Sequence, residues 1–190
     1  APTEIYTLSL HDALPISGHV ALLLGRAKVG GGSYNPADLD ELRQQLQIRF
    51  GPDDFRPSQR EVIESALAGR DVLCVMPTGA GKSLCFQLPA VLMEGLTIVV
   101  SPLISLMADQ VRQLRDRGIE AELLNSSLSS DDQRAAVARL LHSDGYHGLL
   151  YVAPERFFAP GFQNIMPQLR PRLLAIDEAH CVSQWGHDFR

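Results

Sequence analysis

DVLCVMPTGAGKSLCFQLPA, residues 71–90, changes character twice within one short span. Residues 71–76 form a short apolar run set between Gly69 and Pro77, and such a run predicts a buried strand. Pro77 to Ser83 is a turn that carries Gly79 and Gly81. From Gly81 to about Met93 the composition predicts a helix. A chain that leaves a strand through glycines and enters a helix directly presents the helix's first unpaired N–H groups at the strand's carboxyl end. That end of the fold attracts an anion.

Outward from this unit the same alternation repeats. Asn35 as N-cap with Pro36 in the first helical position opens a helix whose Leu39, Leu42 and Leu46 share one face. A second helix follows Pro57 and Ser58, with Val62, Ile63, Ala66 and Leu67 inward, and ends near Gly69. Beyond the central unit come a strand at 97–101, an amphipathic helix marked by Leu103, Leu106, Met107, Gln110, Val111 and Leu114, and a weaker strand at 121–125. Ser130 and Gln133 read as a capping box for a helix to about His142. Apolar strands at 149–153 and 173–177 complete the series. Strands that are apolar throughout and alternate with helices predict an α/β fold: a parallel sheet covered on both faces.

With 190 residues, 45% hydrophobic and 21% charged, the chain suits one globular domain and is too short for two large ones. VALLLG at 20–25 is far too short to cross a membrane, and the N-terminus lacks the pattern of a secretory signal. Cys74, Cys85 and Cys181 form no C-x-x-C pair, which predicts reduced thiols. A formal charge of −5 argues against attachment to nucleic acid through bulk positive charge and leaves room for a local groove. TLSLHDALPI at 7–16 resembles the translated frame of a sequencing adapter, so residues 1–34 are expected to be non-native or disordered, with GGGS at 30–33 as a flexible joint.

The turn at 77–83 carries its own chemistry. Gly79 and Gly81 let the backbone approach phosphate oxygens, Lys82 can reach the β and γ phosphates of a nucleotide, and the Ser83 hydroxyl can ligate Mg²⁺. The strict G-x-x-x-x-G-K-[ST] spacing is not met, because its first glycine would fall at Met76. Asp177 ends the apolar strand LLAID, where its carboxylate projects from the sheet's carboxyl edge toward the same crevice. It is expected to hold Mg²⁺, and Glu178 beside it to orient the attacking water.

MPTGAGKSLCFQLPA, VVSPLISLMADQV, LNSS, YVAPERF and DEAHCVSQWGHDFR occur in that order, and together they resemble the RecQ family of DNA helicases, within helicase superfamily 2. The resemblance runs from about Leu39 to Arg190. It implies a RecA-like lobe at 35–190 that binds ATP with Mg²⁺, with Thr78, Gly79, Ala80, Gly81, Lys82 and Ser83 around the phosphates. It also implies an ATP-dependent 3′–5′ unwinding activity on single-stranded or junction DNA. FRPSQ at 55–59 resembles the family's adenine-recognition motif, with Arg56 and Gln59 on the base. Two positions depart from that pattern: Pro52 stands where the family usually has an aromatic, and Ser58 where it has a glycine. SPLISLMADQ resembles the segment that follows the DNA backbone, with Ser101 and Ser105 as phosphate donors and its Leu and Met residues as core. SQWGHDFR resembles the aromatic-rich loop that links DNA binding to hydrolysis. There Trp185 and Phe189 would stack on bases, Arg190 would add a phosphate or cation–π contact, and His180, Gln184 and His187 would sense DNA. His180, Cys181 and His187 match no zinc spacing.

The resemblance further implies a second RecA-like lobe in cis, absent from these residues, and a cytoplasmic protein that is nucleoid-associated in a bacterium. It implies that the chain stops before the strand that normally lies between the strands of the phosphate loop and of Asp177. That would leave a slot with unpaired N–H and C=O groups, and hence an aggregation-prone chain. Two other functions use the same residues: an ATP-dependent nucleic-acid clamp that does not unwind, and a kinase or small-molecule ATPase. The last gives SQWGHDF beside the carboxylate pair no purpose.

Overall fold

A computed structural model describes residues 4–6, 20–25, 39–77, 79–93, 95–142 and 146–179. Its strands are β1 (Glu4–Tyr6), β2 (Val20–Gly25), β3 (Val72–Val75), β4 (Leu96–Val100), β5 (Ala121–Leu124), β6 (Gly148–Val152) and β7 (Leu173–Ile176). They form one sheet in the order β1-β3-β2-β7-β4-β6-β5. Pairings β4·β6, β4·β7 and β5·β6 are parallel, and β2 runs antiparallel to both β3 and β7. Thus β3, β7, β4, β6 and β5 all point the same way, as a covered α/β sheet requires.

Strand residues alternate between two cores, as the two-residue period of a strand dictates. Val99, Leu149, Tyr151, Leu173 and Ala175 face one side with helices α2 (Gln59–Leu67), α3 (Leu84–Leu92) and α4 (Ile104–Asp116). Ile98, Val100, Leu150 and Val152 face the other with α5 (Ser130–His142) and α7 (Pro160–Leu169), while α6 (Pro154–Phe157) is a single turn before α7. Helix α1 (Leu39–Phe50) adds an outer layer, setting Leu42 and Leu46 against Ile63 of α2 and Leu88 of α3. Leu46→Ala would leave a hole at this junction, and we expect it to lower unfolding free energy by about 3 kcal/mol in urea titration. A loss below about 1 kcal/mol would mean that α1 is not docked. Among the described residues no helix is long and apolar enough to cross a membrane.

Several expectations require correction. Residues 4–6 and 20–25, within the segment expected to be non-native or disordered, are strands of the sheet, and β2 fills the slot between β3 and β7. The unpaired groups that made the chain look aggregation-prone are therefore paired, Leu22 matching both Leu73 and Ile176. VALLLG is a poor membrane span but has the length and apolarity of a buried strand. The helix expected from Gly81 starts at Leu84, because Gly81 at φ +82° cannot join an α-helical turn. The cap of α5 sits one residue earlier than the capping box placed it: Ser129 Oγ accepts from the Asp132 N–H (3.1 Å), and the Ser129 hydroxyl donates to Asp132 Oδ2 (2.6 Å). Gln133 donates instead to the Leu128 carbonyl (2.8 Å). Asn35, Pro36 and the GGGS joint lie outside the described residues.

Candidate nucleotide site at the carboxyl edge of the sheet

Both β3 and β7 flank β2 and run parallel to each other, so the turn after Val75 and the turn after Ile176 leave the same edge. Two strand spacings, about 10 Å, separate them. A phosphate group and a metal-bound oxygen of one nucleotide fit within that interval. Gly79 (φ +78°) and Gly81 (φ +82°) take left-handed backbone that other residues adopt only under strain. The N–H groups of Gly81, Lys82 and Ser83 meet no acceptor among the described residues. No heavy atom lies within 4 Å of where a Gly79 side chain would stand, and Lys82 is half-buried. Open backbone, unpaired donors and one ammonium are the donor set an anion needs.

The turn is held from the side of α2. Gln59, 3% exposed, donates through Nε2 to the carbonyls of Ala80 (3.2 Å) and Gly81 (3.0 Å), and its Oε1 accepts from the Arg56 N–H (2.8 Å). Arg56 Nη1 donates to the Gly79 carbonyl. Both donor hydrogens of the Gln59 amide are therefore spent on the turn. The expected contact of Gln59 with a base is not what this arrangement offers; Gln59 and Arg56 brace the phosphate loop instead. Ser58, at φ +67°, takes a conformation that suits glycine. Pro52 is exposed.

The same bracing explains residue 81, where a Cβ would collide with Gln59 Nε2. Gly81→Ala combines that clash with a positive φ, and we expect it to cost roughly 2 kcal/mol of stability and to displace the turn. The measurements are thermal unfolding and nucleotide affinity together. An alanine variant as stable and as tight as the parent would show that the Gln59 brace does not hold.

On the far strand, the Asp177 N–H extends the β7 ladder to the Val100 carbonyl (2.9 Å), and the side chain is 4% exposed. Its Oδ1 accepts from the Glu178 N–H (3.0 Å), a bond that turns the chain and leaves Glu178 at φ +54°. Behind the loop lies a polar cluster whose functional part the sequence alone does not reveal. Gln110 Nε2 donates to Ser83 Oγ (3.1 Å), and Gln87 Nε2 donates both to Gln110 Oε1 (3.3 Å) and to the Tyr151 hydroxyl (2.9 Å). The one signal of it in the sequence is a glutamine, Gln110, within the apolar stripe of α4. Burial pushes the Tyr151 phenol above its usual range, with the Gln87 hydrogen bond opposing and the charge of Asp177 adding.

Cys74 and Cys85 are buried and free, as reduced thiols should be. Burial pushes the Cys74 thiol up to about 11, against the opposing charge of Lys82. A neutral thiol that ionises near 9.0 when unfolded and near 11 when folded stabilises the fold fully below pH 9, and this contribution declines as the pH rises toward 11. Urea midpoints should therefore fall between pH 9 and 11 more steeply in the parent than in Cys74→Ala. Equal slopes would contradict this.

The segment expected to follow DNA splits in two. Ser101, 1% exposed and with no partner for its hydroxyl among the described residues, follows β4 with its N–H on the Val152 carbonyl and is not open to a phosphate as the resemblance implied; Ser105 is exposed. Met107 is core, but Leu103 and Leu106 are 46% and 37% exposed, a correction to their expected burial. They occupy the entry to α4, beyond the layer that covers the sheet. Thr78, His180, Gln184, Trp185, His187, Phe189 and Arg190 lie outside the described residues, as does Cys181.

Comparison with known proteins gives a consistent result. The profile of the family described as DEAD/DEAH box helicase matches residues 56–190. The chain is 52% identical over 145 residues to the ATP-dependent DNA helicase RecQ of Haemophilus influenzae, covering 76% of this chain and 23% of that protein. It is 47% identical over 153 residues to the ATP-dependent DNA helicase RecQ of Bacillus subtilis, covering 80% and 26%. It is 49% identical over 160 residues to the RecQ-like DNA helicase blm-1 of Caenorhabditis elegans, covering 81% and 16%. The chain thus spans about a quarter or less of the length of these relatives.

Proposed function

The chain belongs to the DEAD/DEAH box helicase family, and we propose that residues 35–190, their sheet completed by β2, are the nucleotide-binding lobe of an ATP-dependent DNA helicase of the RecQ type. The observation that carries this reading is the shared sheet edge of the 77–83 turn and the Asp177–Glu178 turn, one strand apart. The lobe binds ATP through the N–H groups of Gly81, Lys82 and Ser83 and the Lys82 ammonium. Ser83 Oγ and the Asp177 carboxylate hold Mg²⁺, which supplies charge neutralisation to the phosphates when bound. Glu178 orients a water for attack. Arg56 and Gln59 hold the loop carbonyls in place beneath the nucleotide. Ser105 and the segment 180–190, with Trp185, Phe189 and Arg190, meet DNA.

Hydrolysis and unwinding belong to the longer protein. A second lobe supplies an arginine that, in other phosphoryl-transfer systems, contributes ~10³–10⁵ in rate. The chain alone is therefore expected to bind nucleotide and turn it over negligibly. The test is ATP hydrolysis with and without single-stranded DNA, measured on the protein that continues this chain. DNA stimulation supports the motor. DNA binding that depends on ATP but brings no stimulated hydrolysis and no unwinding would favour the non-unwinding clamp.

A further inference from the structure

Behind the phosphate loop, the amides of Gln87 and Gln110 link Ser83 Oγ to the Tyr151 hydroxyl. Gln87 and Gln110 are each 8% exposed, and Tyr151 is 1% exposed. Two primary amides among apolar side chains are retained only when their partners satisfy them. Here the order of donors is set by neighbours: the Gln87 amino group faces both the Tyr151 hydroxyl and Gln110 Oε1, so Gln110 presents its own amino group to Ser83. A serine hydroxyl has one hydrogen and two lone pairs. With one lone pair receiving the Gln110 hydrogen, the second lone pair and the hydroxyl hydrogen are left for the loop side.

We propose that Gln110, fixed by Gln87 and Tyr151, is the positioning residue that holds the Ser83 hydroxyl ready for a divalent cation. The inference rests on the reading of Ser83 as a Mg²⁺ ligand. Gln110 touches neither nucleotide nor metal; it acts through Ser83. It also joins the metal side of the site to α4, whose first turn presents the exposed Leu103, Ser105 and Leu106. The three side chains come from strand β6 and from α3 and α4, which cover that face of the sheet, so the hydroxyl is oriented by packing as well as by the loop.

The test is a Mg²⁺ titration of the chain with fluorescent mant-ADP, using EDTA as the zero point. Gln110→Leu should raise the Mg²⁺ concentration for half-effect about tenfold, within the range known for residues that orient metal ligands, while Mg²⁺-free mant-ADP affinity stays unchanged. In a Ser83→Ala background the same substitution should do nothing further. Gln110→Glu, equal in size and able to accept the Ser83 hydrogen, should keep the Mg²⁺ requirement within about threefold of the parent. An unchanged Mg²⁺ requirement in Gln110→Leu overturns the proposal, as does an equal loss with and without Mg²⁺, or a loss that persists in Ser83→Ala. If Gln110→Leu does not fold, Gln87→Leu decides by the same criteria, since it frees the Gln110 amide. Failure of the parent chain to bind mant-ADP at all would defeat the phosphate-site reading itself, and the inference with it.

Discussion

Lys82→Ala is expected to weaken binding of Mg·ATP to the 190-residue chain about a hundredfold. The lysine is half-buried in the turn, and in the proposed site its ammonium would supply positive charge to the β and γ phosphates. A hydrogen bond to a charged group contributes about 1.5–3 kcal/mol, so removing two such bonds from a partly desolvated site accounts for about 3 kcal/mol. Stability should change little, because Lys82 joins no salt bridge among the described residues. Fluorescence anisotropy with labelled nucleotide measures the affinity, and circular dichroism checks the fold. In the longer protein the same substitution should abolish hydrolysis and leave DNA binding nearly intact. Retained ATPase in that variant would refute the phosphate site.

Removal of residues 1–34 is the second change with a large expected effect. β2 pairs four residues with β3 and four with β7, and β1 pairs three more with the other side of β3, so the loss opens an edge of β7 and leaves β3 without a strand partner. About ten backbone hydrogen bonds at roughly 0.5–1.5 kcal/mol each are at stake, a sum comparable to the whole stability of a domain, about 5–15 kcal/mol. Two apolar edges left open in the middle of a sheet also template association with other chains. The shortened chain should therefore be oligomeric or insoluble, and the full chain should be a monomer with a cooperative thermal transition. Light scattering and calorimetry on the two chains decide. A stable monomer lacking residues 1–34 would mean that β2 is not integral to the sheet.

This strand marks the limit of what is legible in the sequence. The unit β3, loop and α3 can be read from 71–90 because strand, glycines and helix are neighbours in the chain and each follows from local composition. The apolar runs of β4, β6 and β7 are equally plain, since a strand covered on both faces has no polar positions. Which strand lies beside which is a long-range matter. VALLLG carries no mark of its partners, and its antiparallel entry between β3 and β7 depends on a vacancy created by segments far along the chain. Locally, Ser129 and Ser130 compete as caps with similar chemistry, and tertiary packing selects the first. Leu103 and Leu106 fit the stripe of α4 by spacing, yet they sit at its first turn, where the sheet no longer covers them. The glycine turn after β3 and the carboxylate pair after β7 can be read from sequence, and both leave the same sheet edge. The brace from Gln59 and the Gln87–Gln110 link do not, because an amide's partner is set by three-dimensional neighbours and not by spacing.

In the proposed site the Lys82 turn and the Asp177–Glu178 turn serve one metal-bound nucleotide. Replacing Mg²⁺ with paramagnetic Mn²⁺ in the presence of ADP, and recording amide NMR spectra of the chain, tests it most directly. Signals of residues 79–83 and of 177–178 should broaden together at the same low Mn²⁺ concentration, and Ser83→Ala should weaken both effects equally. Broadening confined to one turn, with the other untouched, would contradict it.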